Sequence, residues 1–193
     1  MSSANSIQVG GDHYKSDYQH WDFCCDLALP YLPSASTKYI TRYDKKNGEQ
    51  DLQKAVHYLQ KNTEQADSPA NFYFWLAFRG EQSPKLGTRE STALLEDFLD
   101  STFGKLDPAV KDERSRRILL AREAIYWQVY PYALLPTLSM AKSINGWGNF
   151  EAFAEAIRRF NSLSIKRVQE LTALVYPPQE TGEATPDYVN QDR

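Results

Sequence analysis

Apolar residues recur along this chain with helical rather than strand spacing. The clearest run covers residues 49–62, where Leu52, Ala55, Val56 and Leu59 fall at i, i+3, i+4 and i+7, one face of an amphipathic helix. Asn47-Gly48 reads as the stop signal of a helix over residues 36–46, so the two form a hairpin. Upstream, "YQHWDFCCDLALPYL" predicts a helix ended near Pro30, because proline disfavours the helical conformation at the residue before it. Downstream, Leu94, Leu95, Phe98, Leu99 and Phe103 make another stripe. Asp107-Pro108 reads as an N-cap followed by proline at the first helical position, opening a helix with Ile118, Ala121, Ile125 and Val129 on one side. Pro131 and Pro136 are expected to break or kink the chain beyond that stripe. Asn149 then caps a helix bearing Phe150, Phe153, Ile157 and Phe160, and Ser164 caps another bearing Ile165, Val168 and Val175. The segment "NFYFWLAFR", residues 71–79, suits either a strand or a helix.

The pattern predicts an all-α fold: a helical hairpin core with an additional C-terminal helical bundle. It divides the chain into residues 1–66, a helical region 67–176, and an acidic tail 177–193 with too little apolar content to offset ordering entropy. At 193 residues and 41% hydrophobic content, there is enough apolar material for a core. No apolar run approaches the roughly 20 residues that span a bilayer, and the N-terminus "MSSANSIQVGG" lacks the pattern of a signal peptide. Cys24 and Cys25 are adjacent, a geometry that resists a mutual disulfide, so a reducing cytoplasm fits. An aromatic content of 13% with Trp21, Trp75, Trp127 and Trp147 leads to the expectation of a homo-oligomer that hides apolar surface.

Charge sharpens this picture once it is located. The formal net charge of -3 sits in the tail, where Glu180, Glu183, Asp187 and Asp192 outweigh Arg193, and the preceding 176 residues are formally neutral. Residues 36–62 carry a local +3, too little for generic nucleic-acid binding but adequate for a few phosphates. Lys38, Arg42 and Lys45 fall at i, i+4 and i+7 of one helix, and Asp51, Lys54, Tyr58 and Lys61 share a face of the next. Folded together, these faces offer cations to phosphate oxygens, with Tyr39, Tyr43 and Tyr58 as a stacking surface for a base. The same charges also read as a solvated face with i,i+4 pairing, and spacing alone favours that reading. The mixed-sign cluster "KDERSRRILLAR" reads as a solvated helix face. The sequence contains no Walker phosphate loop, no dinucleotide-binding glycine motif and no zinc-type spacing around His13, His20 or His57.

Two blocks, "VGGDHYKSDYQHWDF" and "KYITRYDKKNGEQDLQKAVHYL", resemble a small phage-encoded domain of unknown function over residues 9–60. That domain is shared with the Walker-less nucleotide kinase of lytic podophages, which phosphorylates deoxynucleoside monophosphates. The matching positions are His13, Tyr14, Lys38, Tyr39, Arg42, Lys46, Asn47, Gly48, Asp51, Lys54 and Tyr58. "SAST" at residues 34–37 departs from the family pattern, and residues 67–176 have no counterpart in it. The resemblance implies a phage protein in the cytoplasm of an infected bacterium that binds a nucleotide or another phosphorylated small molecule. It implies His13 and Asp51 as catalytic residues, with His13 placing the acceptor and Asp51 orienting the clamps or holding a metal. Tyr14, Lys38, Tyr39, Arg42, Lys46, Lys54 and Tyr58 would bind nucleotide, and a nucleoside triphosphate would be the donor. Two other readings stay open: a non-catalytic binder that sequesters a host immune nucleotide, and an inhibitor of a host protein.

Overall fold

The computed structural model describes residues 18–68, 88–107, 109–133 and 147–178. They form six α-helices, α1 (His20–Asp26), α2 (Tyr31–Arg42), α3 (Glu49–Glu64), α4 (Thr88–Phe103), α5 (Glu113–Ala133) and α6 (Trp147–Val175). A single 3-10 turn, Tyr43–Lys45, separates α2 from α3, and the described residues include no strand. The fold is all-α. The ambiguous segment 71–79, His13, Tyr14, Pro136 and the tail beyond residue 178 lie outside the described residues.

α2 runs along α3, α5 runs along α6, and α3 packs on α6 to join the two pairs. Small residues let the crossings close: Ser36 Oγ donates to the Ala55 carbonyl (3.2 Å) and Ser164 Oγ to the Ala124 carbonyl (2.7 Å). Most of the buried apolar side chains form one cluster. It draws Phe23 and Leu27 from α1, Ile40 from α2, Leu52 and Ala55 from α3, Leu95 and Phe98 from α4, Ile125 and Val129 from α5, and Ile157 and Leu171 from α6. Phe23 and Phe98 stack with centroids 3.9 Å apart, pinning α1 to α4. Among the described residues, no helix is long and apolar enough to cross a membrane.

Several expected boundaries move, each for a physical reason. α1 ends at Asp26 rather than near Pro30, and Pro30 becomes the N-cap of α2. α2 therefore starts five residues before Ser36. Pro33 is tolerated because it lies in the first turn, where backbone N–H groups have no intrahelical acceptor. α2 stops at Arg42, four residues before Lys46. The turn is then sealed by the Gly48 N–H on the Tyr43 carbonyl at 2.9 Å.

The helix expected to open at Asp107-Pro108 opens at Glu113 instead. Asp112 takes the capping role, its carboxylate accepting the Ser115 N–H at 2.6 Å, while Asp107 holds a local turn through the Ala109 N–H. Pro131 does not end α5, which continues to Ala133. Tyr132 is buried there and hydrogen-bonds Asn62, and this packing outweighs the lost backbone bond. The two helices expected over residues 149–175 are one helix of 29 residues. Ser164 caps nothing, because its hydroxyl is spent across the α5 interface.

Candidate functional site

The hairpin brings the charged motif residues together at its turn. Arg42 ends α2 and Asp51 lies in the first turn of α3, so a short connection sets them face to face. Arg42 Nε donates to Asp51 Oδ2 (2.9 Å) and Nη2 to Oδ1 (3.2 Å), a two-pronged charge-assisted pair. Asn47 Nδ2 donates to the same Oδ1 at 3.2 Å, and Lys54 Nζ stands 3.9 Å from it. Asp51 has no exposed side-chain surface and Arg42 only 11%. Burial works against the Asp51 carboxylate. Even so, the Arg42 and Asn47 hydrogen bonds outweigh it and hold its pKa below the usual value.

Gly48 makes this arrangement possible. Its φ of +55 lies where side chains are disfavoured, and a Cβ there would sit 2.7 Å from the Tyr176 hydroxyl. The end of α6 thus closes over the turn. With Gly48 as the N-cap of α3, the Asn47 side chain reaches Asp51.

Towards the open end of the hairpin, the rings form a shelf. Tyr39 and Tyr58 stack at 5.6 Å with planes 26° apart, and Tyr31 meets Tyr58 edge-on at 6.0 Å. The Tyr31 and Tyr58 hydroxyls lie 3.5 Å apart, and Tyr31 is 72% exposed. The Arg42 guanidinium sits over the Tyr39 ring at 4.6 Å and the Lys54 ammonium at 5.7 Å. Lys38 is exposed one residue from Tyr39, and its charge reaches the Tyr31 phenol. Lys54 also donates to Gln50 Oε1 at 3.1 Å. Lys46 is exposed just beyond the 3-10 turn.

The structure therefore gathers Lys38, Tyr39, Arg42, Asp51, Lys54 and Tyr58 along one edge of the hairpin, and divides them between a buried pair and an exposed shelf. Sequence reasoning missed Tyr31. The signal was its spacing of eight residues from Tyr39, two helical turns, which was hidden by starting α2 at residue 36. Between α1 and α2, His20 Nε2 lies 2.7 Å from Thr37 Oγ1, with Cys24 Sγ 3.6 Å from the ring. Burial, with the Lys38 charge, lowers the His20 pKa to about 4. Burial raises the Cys24 thiol to about 11, against hydrogen bonds to Ser34 and Thr37 that lower it. Neither group is activated as a base or nucleophile. Among the described residues, no three His, Cys, Asp or Glu side chains gather as a metal site. Compared with family models, curated proteins and solved structures, the chain matches none.

Proposed function

We propose that the protein is a nucleotide binder that uses the outer edge of the α2–α3 hairpin. A base stacks on the shelf of Tyr31, Tyr39 and Tyr58, and Lys38 and Lys54 neutralise the phosphates. The observation that carries this reading is the Tyr39–Tyr58 stack with Tyr31 exposed beside it and ammonium groups on both flanking helices. Arg42 serves as a positioning residue: it is occupied by Asp51 and holds the two helices in register.

Binding without turnover is favoured over a kinase by the state of Asp51. A carboxylate that is wholly buried and fully engaged by Arg42 and Asn47 is badly placed to receive a substrate proton or to hold a metal beside a phosphate. Sequestration of a nucleotide needs only the shelf and the lysines.

Calorimetric titration of the full chain with nucleoside mono- and triphosphates tests this, alongside an assay for phosphoryl transfer. Tyr58→Ala and Lys38→Ala should each weaken binding about tenfold or more, with melting curves unchanged, while Tyr58→Phe retains most of the affinity. Absence of binding across the panel overturns the reading. Phosphoryl transfer that Asp51→Asn abolishes in a folded protein replaces it with the kinase.

A further inference from the structure

We propose a second ligand site, separate from the hairpin shelf: the cavity where the 3-10 turn meets the ends of α4, α5 and α6 binds a small planar aromatic anion. The cavity has a volume of about 460 Å³, within the roughly 300–1,000 Å³ of small-molecule sites. Tyr43, Phe103 and Tyr176 give it aromatic walls, Arg114 and Arg117 give it positive charge, and Asp44 adds an exposed acceptor.

The fold explains why these residues meet. Tyr43 and Asp44 follow α2, Phe103 is the last residue of α4, and Tyr176 follows α6. Arg114 and Arg117 are three residues apart in the first turns of α5, so their heads share a face. Asp112 already accepts the Ser115 N–H, so the charge facing the cavity comes from the guanidinium groups rather than from an open helix end. In the sequence this stretch reads as a solvated, mixed-sign helix face. The tertiary structure instead sets it against three rings.

One further observation points to a missing anion. Arg117 Nη2 pairs with Glu113, but its Nε is enclosed with no acceptor, leaving the guanidinium a hydrogen bond short. The charges also act on one another across the space. Burial raises the Tyr43 phenol to about 12, Asp44 adds to this, and the Arg117 charge works in the opposite direction. A phosphate or carboxylate oxygen would give the Arg117 head the acceptor it lacks once the head turns to meet it, and would pair with Arg114. A flat ring would fill the space between Tyr43, Phe103 and Tyr176. Asp44 is placed to accept from a hydroxyl or amine of the ligand.

The test titrates the full chain with 2-naphthyl phosphate and 2-naphthoate, which separate the two anionic groups. The controls are 2-naphthol, which lacks the charge, and inorganic phosphate, which lacks the ring. One or both naphthyl anions should bind, with each control at least tenfold weaker. Arg114→Ala and Arg117→Ala should each lower affinity about ten- to a hundredfold. Thr102→Trp, which fills the cavity from the α4 end, should remove binding without changing the circular dichroism. The double variant Lys38→Ala/Tyr58→Ala should bind as the parent does, which keeps this site distinct from the shelf. Arg114 is exposed, so its variant reads binding even if loss of the Glu113 pair disturbs folding in Arg117→Ala. The proposal is overturned by equal affinity for 2-naphthol, by unchanged affinity in Arg114→Ala, or by loss of binding in the Lys38/Tyr58 variant.

Discussion

At the turn end of the hairpin, Arg42 and Asn47 close on a wholly buried carboxylate; at the open end, Lys38 stands exposed beside Tyr31 and the Tyr39–Tyr58 stack. Both ends are made of cations, tyrosines and polar residues at helical spacing. What separates them is access to water. At the turn, desolvation makes the pair an obligate one, since a charge losing its partner there has nowhere to go. At the open end, the same residue types face water that a ligand can displace. A cationic motif therefore does not by itself mark a binding site, and burial decides which members hold the fold.

The largest expected effect strikes the turn end. Arg42→Ala should destabilise the protein by about 3–5 kcal/mol, because it strands the Asp51 carboxylate in the interior. The urea-unfolding midpoint would report this. Replacing the pair together, Arg42→Met with Asp51→Leu, should recover most of the loss, since it removes the uncompensated charge. A folded, stable Arg42→Ala that has lost only nucleotide affinity would erase the contrast between the two ends.

Acid unfolding separates the buried turn-end carboxylate from His20, which packs against Thr37 and Phe98, by pH window. The His20 pKa is lowered by burial to about 4 from 6.5. Between those values the unfolded chain takes up a proton that the folded one refuses. Stability from this source is therefore full above pH 6.5 and falls by about 3 kcal/mol on the way to pH 4. The Asp51 pKa is depressed below 3.8, so its contribution is present above that value and is lost as pH falls further. His20→Gln, which keeps a partner for Thr37, should flatten the upper window and leave the lower one. An unchanged upper window would mean that His20 is not the group that titrates.

Gly48→Ala should cost about 1–3 kcal/mol through its left-handed backbone alone. Adding Tyr176→Phe should relieve only the contact with the hydroxyl, so the double variant stays less stable than Tyr176→Phe alone. Equal melting temperatures for those two would show that the turn tolerates a side chain. The smallest effect belongs to Lys61, which pairs with Glu64 on an exposed surface (2.7 Å). Lys61→Ala should change neither stability nor nucleotide affinity beyond measurement error. A loss matching that of Lys38→Ala would point to diffuse electrostatics rather than a shelf.

Periodicity in the sequence was enough to establish the all-α class, the α3 core stripe of Leu52, Ala55 and Leu59, and the turn at Asn47-Gly48, because these are set by local spacing and backbone preference. It also brought Lys38, Tyr39, Arg42, Asp51, Lys54 and Tyr58 to one hairpin. It could not distinguish a capping serine from Ser164, whose hydroxyl crosses to Ala124, or a helix-ending proline from Pro131, overridden by buried Tyr132. Nor could it tell that Asp51 would be sealed inside while Tyr31 stayed out, or that Arg114 and Arg117 would face Tyr43 and Tyr176. Those outcomes depend on which distant helices cover each side chain. Spacing along one helix says which residues share a face, and only the packing of α3, α5 and α6 decides which faces lose their water.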